Sequence, residues 1–226
     1  MRNGRLAMTL IADYIQQIPR HITCEDFCSG VSSYLHDFYQ KNHVDITILE
    51  SHPEERLAAS AAIYSEAHHE VWLIGDCQCL INGQLYENGK PSEKLFAQQR
   101  ADIILKALAN GADMKDFQTE DAGRKAILPA LIESMKGQNK TFAVIDGFPI
   151  YEPGIKKIST PSSSATEIVL ASDGYPFLEP TLEASEQRLQ EQLSHDPLNI
   201  KTFKATKGVM KGNLSFDDRT YIRFRI

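Results

Sequence analysis

Carboxylates recur in this sequence at the ends of apolar, strand-forming runs. Trp72-Leu73-Ile74-Gly75 delivers Asp76, Ile168 to Ser172 delivers Asp173 ahead of Gly174, and Ser215-Phe216 leads into Asp217 and Asp218 before the closing Tyr221 to Ile226. Asp146, in Ala143-Val144-Ile145-Asp146-Gly147, is a fourth and weaker instance. Several carboxylates held at the tips of rigid strands are what a hard divalent cation needs, because Mg²⁺ and Mn²⁺ take oxygen ligands. A single Asp-Gly is ordinary turn chemistry. Its repetition across separate segments is what points to a site.

The elements that must position these acids can be read from hydrophobic period. Arg5 to Ile18 carries a helical stripe closed by Pro19, and Thr23-x-x-Asp26 is a capping box opening a second helix with Phe27, Val31, Leu35 and Phe38 on one face. The period then changes. Residues 44–49 (VDITIL), 57–67 (LAASAAIYSEA) and 71–81 (VWLIGDCQCLI) read as strands, with His68-His69-Glu70 as a hairpin tip. Helices are predicted again over Ser92 to Leu108 and Glu120 to Met135, the latter kinked or interrupted at Pro129. Residues 142–147 and 167–172 return to strand, Thr181 to Leu193 to helix, and Arg219 to Ile226 to a half-buried strand. Residues 204–215, cationic and glycine-bearing, read as a mobile loop, and Ser162-Ser163-Ser164 as a loop. This order predicts an α+β fold with antiparallel sheets, in one domain.

Composition bounds the function. The chain has 226 residues, 42% hydrophobic and 24% charged, enough for one full core, and a net charge of −6 argues against a nucleic-acid or anionic-membrane binder. No apolar run approaches the ~20 residues that cross a bilayer, and Asp13 interrupts the first apolar stretch, so neither a span nor a signal peptide is expected and a cytoplasmic location is. Cys24, Cys28, Cys77 and Cys79 lack the usual zinc spacing and read as reduced, buried thiols. The histidines show no ligand spacing, and neither a phosphate-binding P-loop nor a dinucleotide fingerprint occurs.

Together the acidic turns resemble the metal-dependent (type 2C) serine/threonine protein phosphatase family. That family pairs a strand ending in a Gly-Asp-Ser-Arg-like turn with a later Ser-Asp-Gly turn and a final Asp-Asn-x-Thr/Ser strand. Here they read Gly75-Asp76-Cys77-Gln78, Ser172-Asp173-Gly174 and Asp217-Asp218-Arg219-Thr220, in that order. The resemblance spans residues 5 to 226, with a large helical insert over about 92–137. It implies two antiparallel sheets sandwiched between helices (αββα), and Mn²⁺ or Mg²⁺ between the sheets at one end. Asp173 and Asp217, with Asp218 beside it, would serve the core metals and Asp76 a further one. The implied activity is hydrolysis of phosphate esters on a phosphoprotein substrate.

Two departures qualify that expectation. The family's first aspartate lies in an Asp-Gly-x-Gly-Gly-like turn before the first long helix, where this sequence has only Met1 to Gly4, and Cys77-Gln78 replaces Ser-Arg. An incomplete ligand set predicts weak or no turnover, and the missing strand predicts an open sheet edge that a second copy could cover as a homodimer. The alternative is a non-enzymatic scaffold or signalling module on the same fold, binding a protein partner. Lys204, Lys207 and Lys211 read as a solvated loop or as contacts to a phosphorylated partner. N-terminal-nucleophile hydrolases share a two-sheet architecture but need a nucleophile at a processed N-terminus, which Met1-Arg2-Asn3 does not offer.

Overall fold

Alternation along each strand decides which way the sheets face. In a computed structural model, which describes residues 3–161 and 165–226, the strands form two antiparallel sheets. The first has the order β1-β2-β5, from Ala61–Ser65 (β1), Glu70–Ile74 (β2) and Ile155–Ser159 (β5). The second has the order β4-β3-β6-β7, from Gln84–Glu87 (β4), Cys77–Ile81 (β3), Glu167–Ser172 (β6) and Tyr221–Arg225 (β7). Odd and even side chains of each strand part to opposite faces. Val71 and Leu73 of β2 meet Cys77, Cys79, Ile168 and Leu170 of the other sheet, while Trp72 and Ile74 turn the other way onto helices. Leu80, Val169 and Ala171 likewise face outward, onto Leu189.

Helices complete the outer layers. Asn3–Ile15 (α1) and Cys24–Lys41 (α2) bury Ile11, Phe27, Val31 and Leu35 against the first sheet. The Thr23 hydroxyl accepts from Asp26 N at 3.1 Å, so the capping box starts α2 as its sequence demands. On the far side Leu182–His195 (α7) packs Leu189 on the second sheet, with Thr181 as its cap. The architecture is α+β, two antiparallel sheets between helices. Residues 93–135 hold three helices, Glu93–Ala109 (α4), Met114–Thr119 (α5) and Ala122–Met135 (α6), the last running through Pro129. Ala101, Ile104 and Phe117 of this group form a small core of their own with Leu198 and Ile200.

Three sequence expectations fail for local reasons. Residues 44–49 contribute not a strand but a short helix, Ile46–Ser51 (α3), because the Asp45 carboxylate accepts from Thr47 N at 2.9 Å and caps it. The run 71–81 is two strands in different sheets. Gly75 breaks it at φ +80°, where an added Cβ would also lie 2.8 Å from Ser60 Cβ. Residues 142–147 join no ladder: Ile145 bridges to Ala59 and Phe142 to Gln138, each in isolation. Residues 204–215 form neither helix nor strand, yet Arg100 and Arg124 pin them at Ala205 O and Thr206 O, each at 2.9 Å. Ser162 to Ser164 lie outside the described residues. The four cysteines are free and buried, and no helix among the described residues is long and apolar enough to cross a membrane.

Candidate functional site

Strand register brings the acids together. In the second sheet Cys77 pairs with Ser172 and Ala171 with Tyr221. The start of β3, the end of β6 and the start of β7 therefore share one end of the sheet. Asp76, Asp173 and Asp217 sit one to four residues beyond those ends, and all three line one cavity of about 530 Å³. Asp218 does not line it. Its carboxylate is exposed and its main-chain carbonyl accepts from Ser172 Oγ. Asp146 lies elsewhere, fully buried and bound by Arg56 at 2.9 Å.

The turns are held by neighbours that strand periodicity does not reveal. Gln78, on β3, donates through Nε2 to Ser172 O and Tyr175 O, both at 2.8 Å, and so clamps the Asp173 turn from both sides. Gly174 is required not by a left-handed backbone but by proximity: a Cβ there would meet Arg219 Cβ at 2.8 Å as the chain from Asp217 passes. Arg219 itself forks onto Glu186 of α7 at 2.8 and 2.9 Å, fixing the entry to β7. Asn88 Nδ2 reaches Gly75 O and Gly154 O at 3.1 and 3.0 Å, tying the Asp76 turn to the first sheet. The Ser60 hydroxyl donates to Asp76 Oδ1 and accepts from Asp76 N.

Charge in the cavity is unevenly distributed. Lys90 Nζ stands 2.5 Å from Asp76 Oδ2, and Lys207 Nζ stands 2.6 Å from Asp217 Oδ2. Burial lifts the Asp76 carboxyl, but Lys90 and Ser60 more than offset this and hold it below the usual range. Asp173 has no such partner among the described residues. Burial, then Asp76, Asp217 and Glu93, push its carboxyl up to about 7, Lys207 opposing. Glu93, at the start of α4, is also raised, first by burial and then by Asp76 and Asp217 against the lysines. The side chain of Asp173 remains open to the cavity's solvent. A carboxylate crowded by three others is unfavourable alone and favourable around a cation.

As they stand, no three His, Cys, Asp or Glu side chains among the described residues are grouped closely enough to cage a metal ion. The donor chemistry nonetheless fits Mg²⁺ or Mn²⁺ in kind, since Mg²⁺ is commonly held by one or two carboxylates, its remaining positions going to water and substrate phosphate. Lys90 and Glu93 are absent from the sequence reading of this cavity; Gln78 entered it only as a departure from the Ser-Arg turn, and Lys207 only as one of the lysines of 204–215. No family model, curated protein or solved structure matches the chain.

Proposed function

We propose that the acid cavity is a divalent-cation site for the hydrolysis of phosphate monoesters on a protein substrate, working at low turnover. The reading rests on Asp173, an unpaired carboxylate on a clamped strand tip with Asp76, Asp217 and Glu93 around it. Asp173 and Asp217 would hold the ion, and Asp76 a second, weaker one. When bound, such an ion acidifies a water and neutralises charge on the phosphoryl group. The chain's own residues orient the reactants: Gln78 fixes the Asp173 turn, and Lys207 and Lys90 present ammonium groups to phosphate oxygens at the cavity wall.

The same lysines limit the activity, because each already neutralises a carboxylate that the cation needs. They favour the second reading, a module that binds a phosphorylated protein partner without turning it over. Two measurements separate the readings. Calorimetric titration with Mn²⁺ should show binding by the unmutated chain and at least tenfold weaker binding by Asp173→Asn. Turnover of p-nitrophenyl phosphate and a phosphoserine peptide with excess Mn²⁺ should be slow, below the ~1 per second that begins the ordinary enzyme range, and abolished in the variant. Absence of Mn²⁺ binding at millimolar concentration would remove the metal reading. Binding without turnover would select the second.

A further inference from the structure

The strongest unassigned feature lies away from the acid cavity and shares no residue with it. A second cavity, of about 570 Å³, opens between α2 and residues 147–157. Its wall carries Cys24, Cys28 and Ser32, spaced four apart on α2 and so on one helical face. Both thiols are buried but reach this cavity, at 4% and 8% exposure. The Ser32 hydroxyl is 7% exposed at the residue level, and its oxygen has no hydrogen-bond partner among the described residues. A buried hydroxyl left unpaired costs about 1–3 kcal/mol, so in a cavity wall it marks a place where a polar group of a ligand would be bound.

We infer that Cys28 is a covalent modification site for a small disulfide bearing an ammonium group. The Cys28 sulfur, as thiolate, forms a bond to one sulfur of that disulfide, whose S–S bond breaks. The bonding pair leaves on the departing thiolate, which takes up the proton lost from Cys28. The thiol of Cys28 is thereby oxidised and half of the small disulfide reduced. Cys28 is the more exposed of the two thiols and lies one turn from Ser32, and its pairing with Cys24 holds it below the usual thiol value despite burial while raising Cys24. Cys77 and Cys79, between the sheets, have no such neighbour, and burial pushes Cys79 up to about 11.

Geometry also makes the adduct persist. Residues four apart on a helix have Cβ atoms about 5–6 Å apart, whereas a disulfide needs about 3.5–4.5 Å. Cys24 therefore cannot displace the adduct without unwinding α2. The lining supplies the charge preference: Glu25, Asp37 and Glu152 against Lys157, with His36 Nδ1 donating to Gly147 O at 3.2 Å.

The test is modification of the folded chain at pH 7.5 with cystamine, hydroxyethyl disulfide or oxidised glutathione, mapped by peptide mass spectrometry. One cysteamine adduct on Cys28 is expected, forming about tenfold faster than the glutathione adduct. Cys28→Ser should block it, and Cys24→Ala should slow it about tenfold while leaving the far-UV dichroism unchanged. Three results overturn the inference: equal labelling of Cys77 or Cys79, labelling of Cys24 instead, or labelling only at the rate of global unfolding measured in urea. The unmutated chain alone yields all three, so the outcome does not depend on the variants folding.

Discussion

Asp146 and Asp173 arise from the same sequence signature and end in opposite circumstances. Each follows an apolar run and precedes a glycine. Burial raises the carboxyl of both. At Asp146 the surroundings answer that cost with donors: Arg56 at 2.9 Å, Asn139 Nδ2 at 2.8 Å and Phe148 N at 3.0 Å. The Arg56 guanidinium also stacks on the Phe148 ring, 3.8 Å from its centre, and donates to Leu49 O. At Asp173 the surroundings add three more acids instead. A strand-end acid whose partners are all internal is part of the fold, and one whose neighbours repel it is a candidate for function.

The comparison breaks first on stability. Asp146→Ala removes one partner of a buried pair and leaves Arg56 uncompensated, so it should cost about 3–5 kcal/mol in urea unfolding. Asp173→Ala takes away a charge that neighbours already disfavour and should fall within about 1 kcal/mol of the unmutated chain. Equal costs at the two positions would mean that Asp173 is as structural as Asp146 and would undo the contrast.

How much of this contrast the sequence carried depends on where the partners come from. The acid turns at Asp76, Asp173 and Asp217 were legible because strand ends in an antiparallel sheet meet by register, and register follows from alternation. The α+β class with antiparallel strands was legible from the change of hydrophobic period, whereas the two-sheet, helix-flanked arrangement was expected only from the family resemblance. What separates Asp146 from Asp173 was not. Arg56 and Asn139 reach Asp146 from loops 90 and 7 residues away in sequence, and no periodicity announces them. Lys90 and Lys207 reach the acid cavity in the same way. Local chemistry misled in two further places: the Asp45 cap overrode the β-branched run Val44 to Ile48, and Gly75 divided an apolar run that reads as continuous.

A second test sharpens the contrast within the acid cavity. Lys207 holds Asp217 at 2.6 Å on a strap anchored by Arg100 and Arg124. Lys207→Ala should free that carboxylate and tighten Mn²⁺ binding about tenfold, roughly 1.4 kcal/mol. If Lys207 also meets substrate phosphate, the same variant raises KM for a phosphopeptide while p-nitrophenyl phosphate is affected less. Unchanged Mn²⁺ affinity would show that Lys207 and the cation do not compete.

The smallest effect is the dependence of stability on pH, and its sign follows from Asp173. The folded carboxyl titrates near 7, against about 3.9 in an unfolded chain. Between those values the native state keeps a proton that the unfolded state has lost, so stability falls as pH rises from about 4 to about 7 and stays reduced above. A full shift of that size would be worth several kcal/mol at about 1.4 per unit, but Asp173 is open to solvent in the cavity, and screening reduces the contribution to about 1 kcal/mol. Asp146 is raised too, so the informative quantity is the difference between the unmutated chain and Asp173→Asn, in which the Asp146 contribution cancels. That difference should be near zero at pH 4 and favour the variant by about 1 kcal/mol at pH 8, read from urea midpoints. Millimolar Mn²⁺ should reverse it at pH 8, because the cation then stabilises only the chain that keeps the charge. A difference that is constant with pH would place the titration elsewhere, and Asp173 would lose its distinction from an ordinary turn aspartate.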